Sequence, residues 1–477
     1  MTTETPTPRR AKIPVLEKAA FGSGHLVNNL FPGALGVFQF FLLTAFGIDP
    51  FLAGLLGGIP RLFDAITDPI VGYISDNTQS RYGRRKPYIF MGAFLAGIVF
   101  ILLWQMDPAA GPTYNFWYFL IMSLVFIAAN TLFSTPLIAL GYEMTSDYKE
   151  RTRLMGFAQT IGQFAWMIVP WFWVIIANPN LFETQAEGVR AMAWVVGGFC
   201  IIMGILPGLF CKEIDQKNIT NQAQLDFKST FKNLIDLIKK MKQVFLHKPF
   251  LRICGATFLV FNGFQIVASF SYFIILFYLF NGDYELTGNW PAWFSTISAF
   301  MTAVVVIPII TWMANKVGKR NAFMISTAIS IVGYLLKWWG FNPDNPWLMF
   351  MPVPLMAFGL GGLFVLMMSM TADVCDLDEL ENGMPRKEGT FGAVYWWMVK
   401  LGQGIALVVS GLVLKLVGFD QNAATQTAET MLNLRIADII IPAVTAGLAI
   451  IVMWGYDLTE EKTNDIQEEL VRRRGKI

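Results

Sequence analysis

Arg61-Leu-Phe-Asp64-Ala-Ile-Thr67-Asp68-Pro69-Ile-Val-Gly72 sets two carboxylates four residues apart inside an otherwise apolar segment. At that spacing Asp64 and Asp68 leave the same face of a helix, one turn apart. The surrounding run, 51–74, is long and apolar enough to lie in a bilayer, where an ionisable side chain is costly and marks an ion or proton site. Two carboxylates this close cannot both stay ionised in a dry place, so one binds a proton or the two share a cation.

Composition agrees with a bilayer. Hydrophobic residues make up 55% of the 477-residue chain and charged residues only 15%, with a mean hydropathy of +0.50. A water-soluble protein with that balance would expose apolar patches and aggregate. Aromatic residues reach 14%, with 41 Phe and 15 Trp, side chains suited to lipid contact and to the headgroup level. A net charge of +2 gives no reason to expect a nucleic-acid partner. Residues 1–14 are polar and basic, so no cleavable leader is read and the first span directs insertion. Cys200, Cys211, Cys254 and Cys375 have no metal-ligand spacing and read as reduced packing residues. His25, at the start of the first span, reads as a satisfied helix residue; His247 is the only other histidine.

Runs of about twenty apolar residues fall at 26–46, 51–74, 88–104, 116–140, 155–177 and 191–210, then at 250–280, 292–313, 323–339, 348–370, 390–417 and 437–454. They predict an all-α membrane protein of twelve transmembrane helices in two six-helix bundles. Residues 1–211 hold an N-terminal tail and the first bundle, 212–249 a linker, 250–457 the second bundle and 458–477 a C-terminal tail. An even span count puts both termini on one side. Arg9, Arg10, Lys12, Lys18, the Arg81 to Lys86 cluster, Lys316, Lys319 and Arg320 share that side, whereas the alternate connections hold Asp49, Asp107, Glu183, Asp283, Glu285 and Asp344. The positive-inside rule makes the basic side, and both termini, cytoplasmic in a plasma membrane. The linker carries Phe227, Phe231, Leu234, Leu237, Ile238 and Met241 at helical spacing among lysines, the pattern of an amphipathic helix on the inner membrane surface.

The halves echo each other. Gly83-Arg84-Arg85 closes the second-to-third connection and Gly318-Lys319-Arg320 the eighth-to-ninth; Glu143 to Arg151 follows the fourth span and Asp373 to Glu379 the tenth. Repeated six-span halves are the layout of major facilitator transporters, whose binding site lies at midplane between the halves.

Asp64 to Gly72, followed by Asp76-Asn-Thr-Gln-Ser-Arg81-Tyr-Gly83-Arg84-Arg85-Lys86-Pro87, resembles the second-span signature of the glycoside-pentoside-hexuronide:cation symporters, the major facilitator family of the melibiose permease. Glu143-Met-Thr-Ser-Asp147-Tyr-Lys-Glu150-Arg151-Thr152 is similar to that family's fourth-to-fifth loop, and Met398-Val399-Lys400-Leu-Gly402 to its eleventh-span lysine motif. The resemblance covers nearly the whole chain. It implies the major facilitator fold and symport driven by Na+ or H+, without a further cofactor. It also implies Asp64 and Asp68 as cation ligands, Thr131 as an additional oxygen and Lys400 as the cationic partner.

The residues carry those roles physically. Sodium takes several hard oxygens, which Asp64, Asp68 and a threonine hydroxyl such as Thr67 or Thr131 supply. Lys400, alone in its span, needs a counter-charge, and the aspartate pair is the natural one. For substrate, the resemblance points to Asn29, Ser134, Gln159 and Phe364, where melibiose-type permeases have aspartate, aspartate, arginine and tryptophan. Ile138 stands where those have a fourth-span tryptophan. The galactoside-type site is therefore altered. Asn29, Ser134, Gln159 and Gln163 still offer amides and a hydroxyl, and Phe364, Trp396 and Trp397 offer aromatic plates for a sugar ring. The expected substrate is a sugar, glycoside or related small polar solute carried by a monomer; the alternatives are a lysolipid-like amphiphile, carried by relatives of the family, or a non-transporting sensor. No H-E-x-x-H, G-x-S-x-G or G-x-x-x-x-G-K is present, so an enzyme is not expected.

Overall fold

The computed structural model describes residues 12–78, 80–144, 148–212, 247–382 and 388–474, apart from some side chains within them, Gln159 among these. The linker reading at 212–249 falls almost wholly outside the described residues. The described residues are helical, in the order α1 (Val15–Thr44), α2 (Pro50–Asn77), α3 (Lys86–Leu103), α4 (Pro112–Glu143), α5 (Tyr148–Ile168), α6 (Gln185–Phe210), α7 (Lys248–Val267), α8 (Trp290–Phe300), α9 (Lys319–Gly340), α10 (Val353–Asn382), α11 (Glu388–Leu416), α12 (Ala428–Trp454) and a C-terminal α13 (Glu460–Arg474). Among the described residues ten stretches are long and apolar enough to cross a membrane. The remaining two spans are α2, which carries Arg61, Asp64 and Asp68, and α5, which begins charged and is broken at its far end.

The chain divides into two compact units, Met1–Ile48 with Ile59–Leu234 and Asp49–Gly58 with Ile235–Ile477. Residues 49–58, read from the sequence as part of the first half, thus group with the second. The reason is steric: a Cβ at Gly54 would come within 2.7 Å of the Leu407 carbonyl, and one at Gly411 within 2.3 Å of the Pro50 carbonyl. Small residues let helix backbones approach where lipid removes any hydrophobic drive to pack.

Prolines set the breaks. Pro170 lacks the N–H that would bond the Trp166 carbonyl, so α5 stops and a short helix, Pro170–Ile176, carries on. The span expected to run unbroken over 155–177 is therefore two pieces. Pro207 frees the Met203 carbonyl in the same way, and the Ser23 hydroxyl of α1 reaches it at 2.9 Å. Beyond α7, Phe270–Phe273 and a wider π-helical stretch, Ile274–Leu279, complete the seventh span; Met301–Val306 is a second such stretch, after α8.

In the first unit α1 packs along α5 and α6, and α3 along α4 and α6. Phe31, Phe38, Phe100, Trp104, Phe119 and Phe126 form a buried aromatic core, with Phe31 and Phe126 edge to face at 5.2 Å. Outward faces are apolar too, as at Trp194, Ile202 and Leu209, which lipid solvates at no cost. All four cysteines are buried thiols. Burial, with Glu17 adding to it, pushes the Cys211 thiol up to about 12.

In the second unit the two echoing motifs meet, since Lys319 of Gly318-Lys319-Arg320 donates to both oxygens of Asp373 at 2.7 Å. A second ion pair, Lys337 of α9 with Asp438 of α12, is 99% buried at both side chains. Arg435, one turn before Asp438, donates to the Tyr278 hydroxyl and the Trp338 carbonyl, each at 2.7 Å. Buried charges persist only when paired and hydrogen-bonded, and removing one partner typically costs about 3–5 kcal/mol. Lys337→Met or Asp438→Leu alone should lower the thermal unfolding temperature of the purified protein sharply, and the double variant should recover most of the loss. Single variants that melt with the parent would contradict this reading of the pair.

Candidate cation and substrate site

Asp64 and Asp68 fall near the middle of α2, and threonines of α4 meet them. The Thr131 hydroxyl donates to Asp64 Oδ1 at 3.0 Å, with Thr131 fully buried and Asp64 96% buried. One turn further along both helices Thr135 donates to Asp68 Oδ1 at 3.1 Å, and both pairs are 67 residues apart in sequence. Two i, i+4 pairs thus lie rung against rung. Thr67 donates to the Asp64 backbone carbonyl at 3.2 Å, and its Oγ1 lies 3.3 Å from that of Thr131.

A hydroxyl has one proton and two acceptor lone pairs. The Thr67 and Thr131 hydroxyls are also within hydrogen-bond distance of each other, and either can donate. Arg61 precedes Asp64 by three residues and Asp68 by seven, spacings that return to one helix face. Among the described residues no group of three or more His, Cys, Asp or Glu side chains is placed to hold a metal ion. The donors here are carboxylate and hydroxyl oxygens, hard ligands suited to an alkali cation.

The substrate candidates of the first unit divide. Asn29, half-buried near the middle of α1, uses its amide internally: Nδ2 donates to the His25 carbonyl at 2.9 Å, and Oδ1 accepts from Trp166 Nε1 at 3.0 Å. Ser134 is buried and Gln163 exposed. Gln159 occupies its expected place on α5, and its side chain lies outside the described residues.

In the second unit Phe364 and Trp396 stack at 6.2 Å with 12° between planes, and Trp396 remains 45% exposed. Trp397 instead packs against the buried core cluster. Adjacent residues stand about 100° apart on a helix, which gives the two tryptophans different surroundings. Lys400 is half-buried near the middle of α11.

Thr135, Arg61 and Trp166 are members of these clusters to which the sequence reading gave no role. Thr131 and Thr135 repeat the i, i+4 spacing of Asp64 and Asp68, and that match is the signal available for Thr135.

Apolar helical bundles with a clasped carboxylate pair at mid-helix are the build of a multi-pass membrane transporter. A family model described as MFS/sugar transport protein matches residues 20–460, and the chain belongs to that family. The glucuronide carrier protein homolog of Escherichia coli (strain K12) is 24% identical, over 95% of this chain and 95% of its own. The sodium-dependent lysophosphatidylcholine symporter 1-B of Danio rerio is 23% identical over 95% and 89%. Among solved structures, a bacterial homologue of the human lysosomal transporter Spinster has the same fold, with a TM-score of 0.64 at 14% identity over 98% of both chains. The family and these relatives are transporters, and the chain is not an enzyme.

Removing a hydroxyl from a buried carboxylate leaves it short of a partner, a cost of about 1–3 kcal/mol. Thr131→Val should raise the Na+ concentration for half-maximal thermal stabilisation at least tenfold, and Thr131→Ser should keep the parent value. Thr135→Val should change it less, since Asp68 is only half-buried. A parental Na+ response in Thr131→Val would remove that residue from the site.

Proposed function

We propose that the chain is a Na+-coupled symporter that moves a neutral or weakly acidic glycoside, or a related small polar solute, by alternating access. Asp64 and Asp68 bind the ion together with Thr67 and Thr131, and Lys400 couples its binding to reorientation. The observation that carries this reading is the pair of hydroxyl-to-carboxylate rungs between α4 and α2, with the Thr67 hydroxyl 3.3 Å from that of Thr131. Carboxylate and hydroxyl oxygens are the hard ligands that an alkali cation takes. The protein works as a monomer in the plasma membrane with both termini in the cytoplasm, an orientation supported by its basic connections.

Substrate contacts come from Ser134, Gln159, Gln163, Phe364 and Trp396. Amides and hydroxyls exchange hydrogen bonds with sugar hydroxyls, and the lack of arginine at position 159 disfavours tight recognition of a strongly anionic group. A lysolipid-like amphiphile is the second reading. It is supported by the Danio rerio relative, named as a lysophosphatidylcholine symporter and about as similar to this chain as the glucuronide carrier homolog.

Uptake of radiolabelled glycosides, hexuronides and lysophosphatidylcholine into proteoliposomes under an imposed Na+ or proton gradient tests the reading. Glycoside accumulation that follows the Na+ gradient is expected; Na+-dependent lysophosphatidylcholine uptake without glycoside uptake would replace the first reading by the second. Asp64→Asn or Asp68→Asn should abolish gradient-driven accumulation, because halving the shared charge removes the ion. Full concentrative uptake in either variant would sink the assignment. Lys400→Ala should leave downhill substrate movement while accumulation falls to equilibration, and tightly coupled uptake in that variant would show that the lysine has no coupling role.

A further inference from the structure

We propose that Trp166 is a substrate-plating aromatic of the first unit and that Asn29 is its positioning residue, not itself a sugar ligand. This rests on the glycoside reading above. Trp166 is 42% exposed, and its indole N–H is held by Asn29 Oδ1 at 3.0 Å while the amide nitrogen is tied to the His25 carbonyl. Both polar atoms of Asn29 are thereby engaged in fixing one ring. Gly162 makes this possible: a Cβ there would stand 2.7 Å from Asn29 Nδ2, so only glycine lets the amide reach across from α1 to α5.

Depth and direction set this tryptophan apart from a lipid-facing one. Tryptophans against lipid gather at the two membrane interfaces, where the indole N–H meets water and headgroups. Trp166 lies in the interior of the fifth span, which runs on to Ile176 past the break at Pro170, and its N–H is met by protein. It also shares a helical stripe with positions 159 and 163, seven and three residues earlier. Gln163, exposed on that stripe, is poor company for lipid, since an uncompensated amide in hydrocarbon is costly. Phe157, Phe164 and Ile168, exposed on another side of α5, supply the apolar face. The stripe bearing Trp166 therefore faces water and substrate. A rigid indole on the stripe of an exposed glutamine has the chemistry for a pyranose ring: the plate covers the apolar C–H face while the amide takes hydroxyls.

The test has two parts. Trp166→Cys and Phe164→Cys, each in the otherwise unchanged chain, are exposed in proteoliposomes to a water-soluble cationic methanethiosulfonate, with the parent as background. Labelling of Trp166→Cys above background and above Phe164→Cys is expected, and protection of Trp166→Cys like that of Phe164→Cys would place Trp166 in lipid and overturn the proposal. Transport is then measured with 4-nitrophenyl glycosides that the parent accumulates. Trp166→Ala should raise KM at least tenfold with the Na+ activation constant unchanged, and Trp166→Phe, which keeps an aromatic plate but loses the N–H, should raise it only several-fold.

Phenylalanine has no N–H, so Asn29 has nothing to hold in that background. Asn29→Ala should raise KM several-fold in the parent and leave it unchanged in Trp166→Phe. Equal effects in both backgrounds would make Asn29 a direct ligand and overturn its positioning role. An unchanged KM in Trp166→Ala would overturn the plate even where Na+-driven glycoside uptake stands. If the parent carries none of the glycosides, the glycoside reading fails, the plating role fails with it, and the labelling result alone still separates water from lipid at this position.

Discussion

Two carboxylates in the middle of a membrane helix are tolerated only if something meets them, and the hydroxyls of Thr131 and Thr135 do. That constraint fixes the register of α4 against α2, since a shift of one residue in either helix would turn both rungs away together. It also gives Asp64 a neutral donor where water is excluded, a hydroxyl that supplies a partner but no charge.

The rest of the fold keeps charge under the same discipline. Lys337 meets Asp438, Lys319 meets Asp373, and Arg435 is received by a hydroxyl and a carbonyl. Backbone groups released by proline are treated likewise, as where Ser23 reaches the Met203 carbonyl. Inside a bilayer no water stands by to correct an unmet polar group, so a buried charge or freed carbonyl is stable there where it finds a partner in the protein, as these do.

Much of this was legible in the sequence. Asp64, Asp68 and Lys400 stand out because ionisable residues are scarce in apolar runs, and twelve such runs announce the architecture. Thr135 does not stand out, because a threonine is cheap in any helix and acquires meaning only when the register of two helices is known. Asn29 is ambiguous in the sequence: an amide suited to sugar hydroxyls is equally suited to an indole N–H, and only the fold shows it meeting Trp166. Trp396 and Trp397 look equivalent as a pair of letters, yet a helix separates them, one to the stack with Phe364 and one to the core. The Lys337 and Asp438 pair does not stand out because each sits at the end of an apolar run, 323–339 and 437–454, where sequence alone reads a charge as solvated.

The central claim is that these oxygens bind Na+ before any substrate arrives. Equilibrium binding of 22Na+ to the purified protein, without substrate and across a range of pH, tests it most directly. The account predicts saturable binding of one ion per chain that protons displace competitively as pH falls, and that is lost in Asp64→Asn. No saturable Na+ binding by the intact protein, or binding that survives loss of both carboxylates, would contradict it.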